Sequence, residues 1–203
     1  SQSDEPFIEI TLPPKKGDDI LPDDKITIED NGRGMKRAII RNAVRIGYTT
    51  NDTAETRDKL GMFGIGFNIA TGKLGRITII ETKADHEQAI SVTIDFQDKI
   101  KNDNFSFPVK IIEKKSIGTS ITISDLHRDI IGNTWRNRSK IAQRIGRTYS
   151  SIIKKRNLKI YFGDELCKPY RHFTWSRERE GHSSTFKKNI PASIIGVRVF
   201  LFI

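Results

Sequence analysis

The chain has 203 residues and a net charge of +10, with 36% hydrophobic and 30% charged residues, a composition that suits one globular domain or one and a fraction with a sizeable core. No apolar run reaches the roughly 20 residues of a membrane-spanning helix, and the opening SQSDEPF is polar and acidic, unlike a signal peptide. A single cysteine, Cys167, and four scattered histidines exclude a disulfide framework and a structural zinc site, so an intracellular chain with no membrane partner is expected, cytoplasmic or, in a eukaryote, nuclear.

Phe7–Thr11 and Lys25–Glu29 alternate apolar and polar residues and predict two adjacent strands joined by an acidic connector. Asp30-Asn31-Gly32-Arg33-Gly34-Met35 breaks the second strand, and Met35, Ile39, Ile40, Ala43, Val44 and Ile46 then fall at helical spacing. Residues 47–59 are polar and without period, which predicts a mobile loop. It leads into Leu60-Gly61-Met62-Phe63-Gly64-Ile65-Gly66-Phe67, with a half-buried helix expected from Phe67. Arg76–Lys83, Ala89–Phe96, Val109–Glu113 and Thr119–Ile123 predict a meander of strands, hence a mixed sheet with helices on one face. A helix is expected over Thr134–Arg156, with Ile141, Ile145, Thr148 and Ile152 along one stripe and Lys140, Arg144, Arg147, Lys154 and Lys155 along a basic one beside it. Leu158–Phe162 and Glu165–Tyr170 read as a strand and a short return about the turn Gly163-Asp164. From Arg171 the composition becomes that of a charged linker, and Ile190–Ile203 is apolar and β-prone, as at the start of a second domain.

Charge is unevenly distributed. Residues 1–30 carry nine acids and three bases, a net −6; residues 31–132 carry +4; residues 133–203, with four acids and sixteen bases, carry +12. A basic third of this kind favours a polyanion such as DNA through counterion release, although a solvated basic face is the plainer reading.

The glycines carry the chemistry. A Walker A loop fails, because Gly72-Lys73 is followed by Leu74 and preceded at the required position by Phe67; a dinucleotide fingerprint fails, because Gly64 and Gly66 are followed at the required position by Ile69. What remains is Asp-x-Gly-x-Gly followed about thirty residues later by Gly-x-x-Gly-x-Gly, and the pair in this order is far more specific than either half. A carboxylate such as Asp30 can accept a hydrogen bond from the exocyclic amine of adenine and rejects guanine, which presents a carbonyl there. Gly32 and Gly34 let the chain turn under the base, Met35 offers it a polarisable surface, and the second glycine cluster can hold phosphates on backbone N–H groups at a helix start. An adenine nucleotide is the expected ligand.

The segments EDNGRGM and KLGMFGIGF resemble the GHKL ATPases, the group that includes DNA gyrase B subunits, the large heat-shock chaperone, sensor histidine kinases and MutL; IGYTT and LGMFGIGFNIATGKLG are most similar to its chaperone-like and MORC-like members. The resemblance covers about residues 7–170 and implies the Bergerat fold, an α+β two-layer sandwich whose mixed, mostly antiparallel sheet carries helices on one face. It implies nucleotide contacts from Asp30, Gly32, Gly34, Met35, Gly61, Phe63, Gly64, Ile65, Gly66, Phe67 and, through SIGTSITISDL, from Thr119 beside Gly118. It further implies ATP with magnesium, a lid over residues 47–60, a homodimer in the complete protein and slow ATP hydrolysis. An ATP-binding domain over 1–170 and a linker to a transducer-like domain over 171–203 are expected, with Lys187 or Lys188 as a γ-phosphate switch. Asn51 departs from relatives that carry a lysine after the pair equivalent to Thr49 and Thr50. The family's catalytic glutamate and magnesium-binding asparagine precede the first strand, so they are expected before Ser1 in a truncated chain, and no base is assigned. The alternative is a nucleic-acid-binding module that uses residues 133–203 and a vestigial pocket.

Overall fold

The computed structural model describes residues 5–14, 21–44, 66–95, 97, 107–114, 116–127 and 136–170. These form eight strands and four helices: β1 (Phe7–Thr11), β2 (Ile26–Asp30), α1 (Arg37–Ala43), α2 (Gly66–Leu74), β3 (Gly75–Lys83), β4 (Ile90–Asp95), β5 (Val109–Ile111), β6 (Gly118–Leu126), α3 (Arg138–Thr148), α4 (Ser150–Arg156), β7 (Lys159–Phe162) and β8 (Glu165–Leu166). The strands make one sheet in the order β5-β4-β3-β6-β2-β1-β7-β8, antiparallel throughout except where β1 runs parallel to β7.

Register explains the layering. Ile160, Ile8, Asp30, Thr119, Thr82 and Ile90 are directly opposed across successive strands, and so, two residues along, are Phe162, Ile10, Ile28, Ile121, Ile80 and Val92. Opposed residues share a face, so this face is mostly apolar, with Asp30, Thr119 and Thr82 as a polar row within it. Ile40 and Val44, at α1, pack there against Ile80, Ile90, Val92 and Ile94, while Ala142 and Ile153 of α3 and α4 pack against Ile160, Phe162 and Cys167. The other face presents Glu9, Glu29, Thr11, Thr27 and Thr93 to solvent or near it. The result is the expected two-layer sandwich with helices on one side.

The long helix differs from its sequence reading. α3 and α4 are separated by Tyr149 alone, whose φ −98° and ψ 12° leave the helical region and interrupt the ladder, although its N–H bonds the Ile145 carbonyl and its carbonyl accepts the Ile153 N–H, both at 2.9 Å. The buried stripe is Ala142, Gly146, Ser150 and Ile153, and Thr148 is exposed. The reason is the closeness of the 167–170 segment: a Cβ on Gly146 would lie 2.1 Å from the Lys168 carbonyl oxygen. Small residues face the contact, and the larger isoleucines flank it.

Cys167 is buried in the second of these clusters. Burial, with a smaller contribution from Glu165, raises its thiol from the ordinary 9.0 to about 11. A group whose pKa is higher folded than unfolded contributes stability that is complete below the unfolded value and lost as pH rises through the folded one. Urea midpoints of wild type and Cys167→Ala should therefore keep a constant separation below pH 9 and converge between about pH 9 and pH 11; a separation that stays constant through that window would contradict the assigned environment.

Candidate nucleotide site

Asp30 closes β2, and its Oδ1 accepts the Gly32 N–H at 2.8 Å, the bond that an Asp-x-Gly turn makes on its own backbone. Among the described residues no donor reaches its second oxygen. Asn31 points the other way: its Oδ1 accepts the Phe7 N–H at 2.8 Å and its Nδ2 donates to the Glu5 carbonyl at 2.9 Å, which anchors the turn to the start of β1. Gly34 has φ +65°, and a Cβ there would lie 1.9 Å from the Lys83 carbonyl oxygen. The chain therefore crosses the end of β3 in direct backbone contact.

The crossing is fixed by Thr82. Its side chain is fully buried, and its Oγ1 accepts the Met35 N–H at 2.8 Å. The same oxygen lies 3.2 Å from the Gly118 carbonyl and 3.1 Å from Thr119 Oγ1. If Thr82 donates to Gly118, Thr119 donates to Thr82 and keeps free lone pairs; if Thr82 donates to Thr119, the Thr119 proton is free to donate. Either way, Thr119 has unused hydrogen-bonding capacity beside Asp30, its cross-strand partner. Gly118 completes the arrangement: at φ +131°, its Cβ would stand 2.1 Å from the Asp30 carbonyl oxygen.

Sequence reasoning missed Thr82. The available signal was a threonine two residues from Ile80 on the face that pairs with Gly118-Thr119, and it needs the register to be read. Thr82→Val keeps the shape, removes the acceptor for Met35 and leaves the Thr119 hydroxyl without its partner. Stability should fall by about 1–3 kcal/mol, measured by chemical denaturation; a change under about 0.5 kcal/mol would mean that this network does not hold the crossing.

Phe67, in the first turn of α2, and Met35 are half-buried against the same core cluster. Gly66 opens α2, and a Cβ built there meets nothing within 4 Å. Asn68 is buried, with its Nδ2 donating to the Val44 carbonyl at 3.4 Å and its Oδ1 without a partner among the described residues. The structure thus gathers Asp30, Gly32, Gly34, Met35 and Thr119 at one end of the apolar sheet face and puts Gly66 and Phe67 at the helix start packed on the same core. Gly61, Phe63, Gly64 and Ile65, the lid over 47–60 with Thr49, Thr50 and Asn51, and the 171–203 segment with Lys187 and Lys188 lie outside the described residues. Among the described residues, no helix is long and apolar enough to cross a membrane.

A mostly antiparallel eight-stranded sheet, helices on one face and a polar notch in the apolar side define the GHKL type of ATPase fold. The chain belongs to the histidine kinase-, DNA gyrase B- and HSP90-like ATPase family, whose profile matches residues 1–132. Membership carries ATP binding in general, with the magnesium that typically accompanies it. No curated protein matches the chain.

Proposed function

We propose that this chain binds ATP with the adenine edge on Asp30 and the phosphates at residues 61–66, in the manner of chaperone-like and MORC-like family members. The observation that carries the reading is the Asp30, Thr119, Thr82 row, three polar groups side by side in a sheet face built, Thr78 apart, of isoleucine, valine and phenylalanine. Adenine asks for apolar surface on its flat faces and an acceptor at its amine, and Met35 with Asp30 has that chemistry. A guanine carbonyl would meet a carboxylate. At the other end, no atom of the described residues lies within 4 Å of where a Gly66 Cβ would stand, which leaves room beside the backbone at the start of α2. A phosphate can approach a glycine backbone at a helix start closely, which supports the placing of the phosphates there. Closure of residues 47–60 over ATP, dimerisation of the complete protein, a 1–170 nucleotide domain followed by a transducing one, and a γ-phosphate contact from Lys187 or Lys188 complete the reading.

Gly66→Ala tests it by separating fold from ligand. Its melting temperature should stay within about 2 °C of wild type, because surface changes away from contacts cost within about 0.5 kcal/mol. Its affinity for ATP, by titration calorimetry, should fall about tenfold or more. Unchanged affinity would remove the phosphates from this helix start.

A further inference from the structure

Residues 136–170 carry ten bases and two acids, and both acids, Asp164 and Glu165, are engaged by Arg138 at 3.5 and 3.4 Å. No other acid of this segment is left to neutralise the remaining bases. Three further cations are committed to the fold: Lys159 pairs with Glu5, the Arg147 guanidinium lies 4.7 Å from the centroid of the Tyr170 ring, and Lys154 Nζ donates to the Tyr170 carbonyl at 2.8 Å. Lys140, Arg144 and Lys155 are exposed on the side of the helix opposite to buried Ala142, Gly146, Ser150 and Ile153, and none of the three has an ion pair among the described residues.

α3 and α4 follow one another across Tyr149, whose φ −98° and ψ 12° are not helical, as one segment with a single-residue break. From Lys140 to Lys155 it spans about 22 Å at 1.5 Å per residue, the length of about six base pairs of B-form DNA. The intervening outward residues Gln143, Thr148 and Ser151 are hydrogen-bonding and short. Side chains of this kind contact phosphates and sugars without reading sequence.

From this stripe we infer a second ligand, independent of the nucleotide reading: the phosphate backbone of duplex DNA, bound without sequence preference along the outer face of α3 and α4 through Lys140, Arg144 and Lys155. Three features select it among polyanions. An anionic membrane surface would call for apolar side chains among the cations to enter the acyl boundary, and the exposed residues that share their side of the helices, Thr148 and Ser151, are polar. Single strands are held by stacking on free aromatic rings, whereas Tyr170 is covered by Arg147 and the exposed Tyr149 falls by helical spacing on the side of Ile145 and Ile152, away from the three cations. A helix about 10–12 Å across matches the wide major groove of B-DNA, and the deep, narrow one of A-form RNA does not admit it.

The experiment is fluorescence anisotropy of a labelled 20-base-pair duplex titrated with the 203-residue chain, without nucleotide, at several salt concentrations. Wild type should bind with a log K against log salt slope of about −3 or steeper. The Lys140→Glu, Arg144→Glu, Lys155→Glu triple variant should lose at least tenfold in affinity at the lowest salt and about 3 in slope. Lys110→Glu, on the edge strand at the opposite end of the sheet, should stay within twofold of wild type. Circular dichroism melts and ATP titration of the triple variant should match wild type, which separates loss of this surface from loss of fold or of the nucleotide site. A triple variant that binds duplex DNA like wild type would overturn the inference. So would tighter binding of wild type to a 20-nucleotide single strand or to an RNA duplex, or binding to vesicles containing phosphatidylserine with none to DNA.

Discussion

Asp30→Asn should reduce ATP affinity by about a hundredfold or more while leaving the protein folded. The asparagine oxygen can still accept the Gly32 N–H that Asp30 Oδ1 holds at 2.8 Å, so the turn survives. Its amide NH₂ then occupies the place of the second carboxylate oxygen and confronts the adenine amine, donor against donor. The loss combines a charge-assisted hydrogen bond, about 1.5–3 kcal/mol, with the cost of a donor left facing no acceptor. The same substitution carries a specificity signature. Inosine and guanosine triphosphates present an acceptor carbonyl at that edge, so their affinity should rise relative to ATP. Calorimetric titration of the three nucleotides against wild type and variant reads the effect, and a variant that keeps the wild-type preference would separate Asp30 from the base.

Gly118→Ala should be the most destabilising single methyl addition at the site. The backbone there is at φ +131° and the new Cβ would stand 2.1 Å from the Asp30 carbonyl oxygen. Both neighbours are backbone atoms of hydrogen-bonded strands, so relief requires β2 and β6 to part next to the Asp30 to Thr119 pairing. A cost of about 3 kcal/mol or more is expected, lowering the melting temperature by about 6–12 °C for a domain of this size. Gly34→Ala should behave alike, because φ +65° and a 1.9 Å approach to the Lys83 carbonyl oxygen combine there in the same way. Gly72→Ala, with nothing within 4 Å, is the control and should melt close to wild type. If Gly118→Ala matched that control, the close packing of the turn on β6 would be wrong.

These two outcomes show how differently parts of the molecule could be read beforehand. The alternation of Phe7–Thr11, the break at Gly32 and Gly34, and the turn at Gly163 are local properties, and these three appear at their expected places, whereas the strand expected over Thr119–Ile123 runs on to Leu126 and the return expected over Glu165–Tyr170 is a strand only as far as Leu166. Asp30 and Thr119, singled out from segments ninety residues apart, prove to be cross-strand neighbours. Thr82 could not be read, because Arg76–Lys83 offers two faces of similar hydrophobicity. Ile77 and Ile79 on one side compete with Ile80 among threonines on the other, and only pairing to β6 sends Thr78, Ile80 and Thr82 inward. The parallel pairing of β1 with β7 was invisible for the same reason: it joins residues about 150 positions apart, and no local pattern encodes it. The helical stripe was misjudged by one position because isoleucines weigh more than glycine in a periodicity, while close backbone contact at Gly146 decides the packing.

Soaking crystals of the chain with a non-hydrolysable ATP analogue tests the central claim most directly. The adenine amine should lie within about 2.7–3.2 Å of an Asp30 carboxylate oxygen, with the triphosphate running toward the start of α2 at Gly66. Adenine bound elsewhere, or clear density for the analogue with Asp30 facing only solvent, would contradict the assignment.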